Sequence, residues 1–105
     1  MDYRIQENCL TIFLPHELDH HKAEEIRTQS DHLIERKHIK HVIFDFQGTN
    51  FMDSSGIGVI MGRYKKISLL GGEVWAAHVN ERMKKILLMS GVTKIMQMCE
   101  EEQGI

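Results

Sequence analysis

The sequence has little of what marks a secreted, membrane-bound or nucleic-acid-binding protein. Its two cysteines, Cys9 and Cys99, lie far apart in a chain of 105 residues, which suits a reducing compartment better than a disulfide scaffold. No apolar run approaches the ~20 residues that a membrane span needs, and the N-terminus has no apolar signal-peptide core. The basic residues are scattered and the formal net charge is −2, so no positive stripe is available to bind a nucleic acid. We therefore expect a cytoplasmic protein with no membrane segment and no direct contact with DNA or RNA.

The single proline and the spacing of the apolar residues divide the chain into short strands and helices. Asp19 and Asn80 precede apolar periodic stretches and predict two helix starts. The predicted elements are, in chain order, a hairpin over 3–14 that Pro15 ends, a helix from 19, a strand over 41–46, a helix that stops at 71–72, a strand over 74–77, a helix from 80 to 91 and a last strand over 95–98.

This ββαβαβαβ order predicts an α/β fold, with one domain over residues 1–105. The sheet is predicted to be mostly parallel, with about five strands, an N-terminal hairpin and three to four helices. The strand over 41–46 is almost wholly apolar, which is typical of a central parallel strand covered on both faces. The acidic tail over 100–105 is expected to fray.

Two adjacent serines, Ser54 and Ser55, stand where a strand is predicted to turn into a helix. The carboxyl end of a central parallel strand is the edge at which open α/β sheets place functional groups. A helix N-terminus also presents unpaired N–H groups and the positive end of the helix dipole, which stabilise an attached phosphate. Helix capping is the structural alternative, because Asp and Ser are preferred N-cap residues. The residues alone leave both interpretations open.

Enzyme motifs around the serines are incomplete. A nucleophile elbow needs a glycine two residues before the serine, which Ser54 lacks, and only His78 could serve as a base after it. Gly56, Gly58 and Gly62 superficially resemble a dinucleotide fingerprint, but the next strand does not end in the acidic residue that would hold a ribose. Gly58 and Gly62 fall on one helical face and predict close packing of the helix on the sheet. We expect no catalytic residues and no cofactor.

A second polar cluster, formed by His16, Asp19, His20 and His21, contains residue types that bind zinc. Adjacent His20 and His21 point in different directions on a helix, and no further Cys or His is placed to complete a site. The cluster is better interpreted as a polar loop and a first helical turn, so no metal site is predicted.

Several motifs, each weak by itself, together resemble those of a known protein family. They are Glu17-Leu18-Asp19-His20-His21, Ala23-Glu24, Phe51-Met52-Asp53-Ser54-Ser55-Gly56-Ile57-Gly58-Val59-Ile60, Gly62-Arg63-Tyr64-Lys65, Gly71-Gly72-Glu73 and Met89-Ser90-Gly91. In this order and spacing they resemble the anti-sigma factor antagonists of the STAS family, over nearly the whole chain.

The resemblance implies a regulatory protein that is a substrate and not an enzyme. Members of the family bind an anti-sigma factor that is also a serine kinase with a bound nucleotide, and binding releases the sigma factor. The kinase phosphorylates the antagonist and so blocks binding, and a PP2C-type serine phosphatase reverses the modification. By position, Ser54 matches the phosphoacceptor of the family. The residues implied to contact the kinase are Glu17, Asp19, Asp53, Ser55, Gly56 and Ile57.

The chain departs from the family pattern in two places. His16 stands where the family usually has a glycine before Glu-Leu-Asp, and the C-terminal helix common in the family is cut short after Cys99. A monomer is expected. The second interpretation is a STAS scaffold or regulatory domain within a larger stress-signalling or transporter-linked assembly, and the third is a small-molecule-binding or catalytic role.

Overall fold

Residues 1–99 are the part of the chain that the computed structural model describes, and they form seven strands, three α-helices and one 3₁₀ turn. In chain order the elements are β1 (Asp2–Gln6), β2 (Cys9–Phe13), β3 (Glu17–Leu18), α1 (His20–Arg36), β4 (His41–Asp45), β5 (Phe51–Met52), α2 (Ser54–Leu69), β6 (Glu73–Ala77), α3 (Glu81–Ser90), a 3₁₀ turn (Val92–Lys94) and β7 (Gln97–Met98).

The central sheet has five strands in the order β1-β2-β4-β6-β7. β1 and β2 form an antiparallel hairpin in which Ile5 faces Leu10, and every other neighbouring pair is parallel. Parallel neighbours require crossover connections, and α1, α2 and α3 lie within the three that this sheet needs. The predicted fold class, a mostly parallel α/β sheet with an N-terminal hairpin, is confirmed.

Apolar side chains from the strands and the helices meet in one core. Val42 and Phe44 of β4 are fully buried, in agreement with the near-continuous apolar run of that strand. Each helix turns one apolar stripe inward. The buried apolar residues of the helices are Ala23, Ile26, Ile34, Val59, Ile60, Ile67, Met83 and Leu87.

Side-chain caps fix two helix starts where the sequence predicts them. The carboxylate of Asp19 accepts a hydrogen bond from the backbone N–H of Lys22 at 2.9 Å, and the side chain of Asn80 accepts one from Met83 at 2.8 Å. α3 ends at Gly91, whose φ of 81° is the left-handed conformation that glycine adopts without strain.

The prediction of close packing at Gly58 and Gly62 is wrong. A Cβ added at either glycine would meet no atom within 4 Å, because both line an open groove between α1 and α2. The close backbone approach occurs instead at Gly72, where an added Cβ would lie 1.6 Å from the carbonyl oxygen of Lys40. Gly72 thus lets the chain enter β6 directly beside the start of β4.

Two short features differ from the predicted elements. β3 and β5, each of two residues, pair in parallel as a separate small sheet that the sequence pattern does not predict. The predicted last strand over 95–98 is shortened to Gln97–Met98, because the chain before it makes the 3₁₀ turn. The expected fraying of 100–105 and the shortened C-terminal helix concern residues outside those described. None of the helices within residues 1–99 is long and apolar enough to cross a membrane.

Candidate functional site

The start of α2 is shaped by Asp53, the residue between β5 and the helix. Its backbone is extended, and its Oδ1 accepts hydrogen bonds from the backbone N–H groups of Ser55 at 2.8 Å and Gly56 at 3.4 Å. Asp53 is therefore the N-cap, and Ser54 is the first residue of the helix. The capping interpretation holds for Asp53 and leaves the hydroxyl of Ser54 without a capping role.

Ser54 is exposed, so its hydroxyl is within reach of another protein. Among the described residues no hydrogen bond engages this hydroxyl. Because Asp53 already occupies two of the N–H groups at the helix start, a phosphate on Ser54 would lie beside a carboxylate and would not fill an empty set of donors. The helix dipole still favours the phosphate, but the neighbouring negative charge opposes it.

Ser55, the next residue, is in a different environment. It is half-buried, and its Oγ lies 3.2 Å from Nδ1 of His20, the first residue of α1. The two serines therefore differ in exposure and in bonding although they are adjacent in sequence. No local pattern predicts this contact, since the two residues are 35 positions apart.

Gly56 is buried, and a side chain at this position would be directed into the protein. An added Cβ would lie 2.4 Å from Cγ of Met52 and 3.0 Å from Cδ2 of Leu18. Both side chains are buried and belong to β5 and β3. Gly56 thus allows α2 to begin directly against the small sheet. It also sets the path of residues 53–56, the start of α2 that we call the serine loop.

The small sheet brings the two predicted segments of the site together. Glu17 pairs with Phe51 and Leu18 with Met52, and the carbonyl oxygen of Leu18 accepts a hydrogen bond from the N–H of Asp53 at 3.3 Å. The exposed side chains of Glu17 and Asp19 consequently lie on the segment that pairs with the strand leading to the serine loop. This pairing places the segment of Glu17 and Asp19 beside the serine loop.

His16 does not need the conformation that glycine would supply. Its φ is not positive, and its carbonyl oxygen accepts hydrogen bonds from the N–H groups of Asn50 at 2.8 Å and Phe51 at 3.3 Å. Its Nε2 lies 3.1 Å from Nδ2 of Asn50. The histidine therefore fits the loop and adds one contact to it.

Two apolar side chains flank the serines. Ile57 is half-buried and packs on the core, whereas Phe51 keeps 48% of its surface exposed. An exposed large aromatic beside a polar loop is a common anchor of protein interfaces. The sequence analysis includes Ile57 in the site but not Phe51. An apolar residue in a strand of two residues gives no sign in the sequence that its side chain is exposed.

An ion pair between the buried Arg63 and the partly exposed Asp31 joins α2 to α1 behind the serines. Arg63, only 5% exposed, donates to Oγ of Ser30 at 2.8 Å and pairs with the carboxylate of Asp31. Partial burial is the largest single influence on the pKa of Asp31 and raises it, but the combined attraction of Arg63 and Lys66 outweighs burial and lowers the pKa below its ordinary value. The pair fixes the relative position of the two helices that carry His20 and Ser55.

The other candidate residues make separate contacts. Within residues 1–99 no group of three or more His, Cys, Asp or Glu side chains is placed to hold a metal ion. His20 contacts Ser55, and His16 contacts Asn50. His78, the base considered for a hydrolase, lies with its Nδ1 3.1 Å from Oδ1 of the buried Asp45.

Comparison with known proteins shows the family to which the chain belongs. The model of the STAS domain family matches residues 1–105, the full chain. The chain belongs to the STAS domain family. It is 43% identical over 93 residues to an anti-sigma F factor antagonist of Paenibacillus polymyxa, an alignment that covers 89% of this chain and 80% of that protein. The family resemblance predicted from the motifs is confirmed.

Two solved structures are similar over almost all of the chain. One is the anti-sigma factor antagonist SpoIIAA in its unphosphorylated form, with a TM-score of 0.85, 28% identity and coverage of 98% of this chain and 90% of that one. The other is the Bacillus cell fate determinant SpoIIAA in its phosphorylated form, with a TM-score of 0.77, 29% identity and coverage of 98% and 94%.

Proposed function

We propose that this chain is an anti-sigma factor antagonist controlled by phosphorylation of Ser54. The unphosphorylated form binds an anti-sigma factor that is also a serine kinase, and binding releases the sigma factor. The observation that carries the proposal is the exposed hydroxyl of Ser54 at the first position of α2. Its support is that a related antagonist, SpoIIAA, has been solved in both unphosphorylated and phosphorylated forms. In this role the chain is a substrate and not an enzyme, and it acts as a monomer in the cytoplasm.

The docking surface of this proposal consists of two adjoining segments. Glu17 and Asp19, both exposed, offer negative charge to basic groups of the kinase. Asp53 and Ser55 lie beside the acceptor serine, and Ile57 contributes apolar contact. Gly56 contributes indirectly, since it is buried and sets the path of the loop.

The modification is an ordinary phosphoryl transfer. Oγ of Ser54 attacks the γ-phosphorus of ATP held by the kinase, the bond from that phosphorus to the bridging oxygen breaks, and ADP leaves with the bridging oxygen. The proton of the hydroxyl passes to a base of the kinase. A PP2C-type phosphatase restores the hydroxyl by hydrolysis, with water supplying an oxygen to the released phosphate. This chain supplies only the acceptor, so the mechanism requires no cofactor in it.

Phosphorylation blocks binding by charge. The phosphate adds a charge of about −1.5 to −2 next to Asp53, on a surface that already carries Glu17 and Asp19. Docking would remove water from this dianion and bring it against kinase groups that fit a hydroxyl. An ill-paired charge buried at an interface costs roughly 2 to 5 kcal/mol, which lowers affinity by about 30-fold to several thousandfold. The fold itself need not change.

Binding of purified variants to a kinase-type anti-sigma factor, with and without ADP, tests the proposal. Ser54→Ala is expected to bind and to take no phosphate, and Ser54→Asp is expected to bind more weakly. Ser68→Ala, which alters another exposed serine of α2, serves as the matched control and should behave as the wild type. If the unmodified protein captures no such kinase, or if Ser54→Ala still takes phosphate at the wild-type rate, the proposal fails.

A further inference from the structure

The adjacent serines of the loop present two hydroxyls to any kinase that docks there. A phosphorylation switch with one outcome therefore needs a reason for one hydroxyl to react and the other not. Successive helical residues point about 100° apart. In this protein that rotation directs Ser54 to solvent and Ser55 toward the groove between α1 and α2.

His20 is exposed and lines that groove. Its Nδ1 lies 3.2 Å from Oγ of Ser55, and both residues line the cavity of about 220 Å³ between the two helices. The hydroxyl donates to Nδ1 when that nitrogen carries no proton and accepts from it when it does. In either state the hydroxyl of Ser55 is hydrogen-bonded to His20 of α1, whereas the hydroxyl of Ser54 has no such partner among residues 1–99.

We infer that His20 is a specificity-determining residue that restricts phosphorylation to Ser54 by holding the hydroxyl of Ser55 in the groove. The inference rests on the proposed function, since it concerns the same transfer from ATP. To react, Ser55 would have to break its contact with His20 and rotate toward the kinase, and then its Oγ would form the bond to phosphorus while ADP leaves. Ser54 reacts without that step.

The strength of a single hydrogen bond at a partly exposed site sets how much His20 can favour phosphorylation of Ser54 over Ser55. Such a bond shifts the equilibrium between the bound and the released hydroxyl of Ser55 by about 2- to 12-fold toward the bound form. His20→Ala is therefore expected to raise the ratio of phosphate on Ser55 to phosphate on Ser54 by about 2- to 12-fold. This ratio is measured within one population of molecules, so a change in overall docking affinity does not affect it.

The experiment maps phosphate by mass spectrometry after timed reaction with the kinase and ATP. His20→Ala is compared with the wild type, with His21→Ala as the matched control, because His21 is an adjacent exposed histidine. His20→Asn keeps a polar group near the position of Nδ1 and is expected to restore the preference for Ser54. In the Ser54→Ala background, adding His20→Ala should raise the initial rate of Ser55 phosphorylation by the same factor, and adding His21→Ala should not.

The outcomes separate this inference from the proposed function. An unchanged ratio in His20→Ala, with label still on Ser54, overturns the role of His20 and leaves the proposed function intact. Label on Ser55 in the wild type that falls in His20→Ala would mean that the histidine activates Ser55, which also overturns the inference. Label on neither serine in the wild type contradicts the proposed function as well.

Discussion

Replacement of Gly56 by alanine tests how tightly the serine loop is packed against the small sheet. An added Cβ would lie 2.4 Å from Cγ and 2.9 Å from Sδ of Met52, and 3.0 Å from Cδ2 of Leu18. The first distance is to the middle of a buried side chain, so the methyl group forces β5 or the start of α2 to move. Overpacking of this kind costs about 1 to 3 kcal/mol.

Gly58→Ala isolates this cost, because it makes the same chemical change in the same helix. Alanine favours a helix over glycine by about 0.5 to 1 kcal/mol, and a Cβ at Gly58 would meet no atom within 4 Å. We expect Gly58→Ala to be as stable as the wild type or more so. Gly56→Ala should be less stable than Gly58→Ala by about 1 to 3 kcal/mol, since the gain in helix propensity is common to both.

Urea denaturation followed by circular dichroism measures this difference directly, and thermal melting should show it as a shift of about 4 to 8 °C per kcal/mol. The same two proteins should differ in binding to the kinase, because displacement of the start of α2 moves Ser54. Equal unfolding free energies for the two variants would refute the conclusion that Gly56 is required for internal packing.

Three further predictions concern the helix contacts and the cap. Arg63→Met should lower the free energy of unfolding by about 1.5 to 3 kcal/mol in urea denaturation, as expected for charged hydrogen bonds lost from a buried site, while the exposed control Arg82→Met should change it little. Because the pKa of Asp31 is lowered in the folded state, its charge stabilises the fold above about pH 4, and this contribution is lost as the pH falls below that value. The difference in unfolding free energy between the wild type and Asp31→Asn should therefore shrink below about pH 4. A difference that stays constant with pH would contradict the lowered pKa of Asp31. Asp53→Ala should cost about 0.5 to 2 kcal/mol through loss of the N-cap, and Asp53→Asn should recover most of it.

Local sequence signals were sufficient for the main elements of the fold. Asp19 and Asn80 combine a preferred capping side chain with an apolar period that begins immediately after them, and both cap helices. The apolar run of β4 similarly indicates a buried strand before any tertiary contact is known. These features depend on neighbours within a few residues, which is the range over which a sequence pattern is informative.

The contacts that organise the site depend on distant residues and were not predictable in the same way. β3 and β5 have two residues each, too few to show a period, and they pair across 34 positions. The contact between His20 and Ser55 likewise joins residues that are far apart in the sequence. Gly58 and Gly62 show the converse error: their spacing identifies a shared helical face, but only the packing of α1 beside α2 decides whether that face meets the sheet or an open groove.

In the proposed switch a phosphate on Ser54 prevents binding without altering the fold, and isothermal titration calorimetry of the two forms measures this effect. The kinase-type anti-sigma factor, with ADP bound, is titrated with the unmodified protein and with protein phosphorylated stoichiometrically on Ser54, at the same salt concentration. We predict an affinity at least about 30-fold lower for the phosphorylated form, with unchanged far-ultraviolet circular dichroism. Equal affinities for the two forms would show that the phosphate on Ser54 does not control binding.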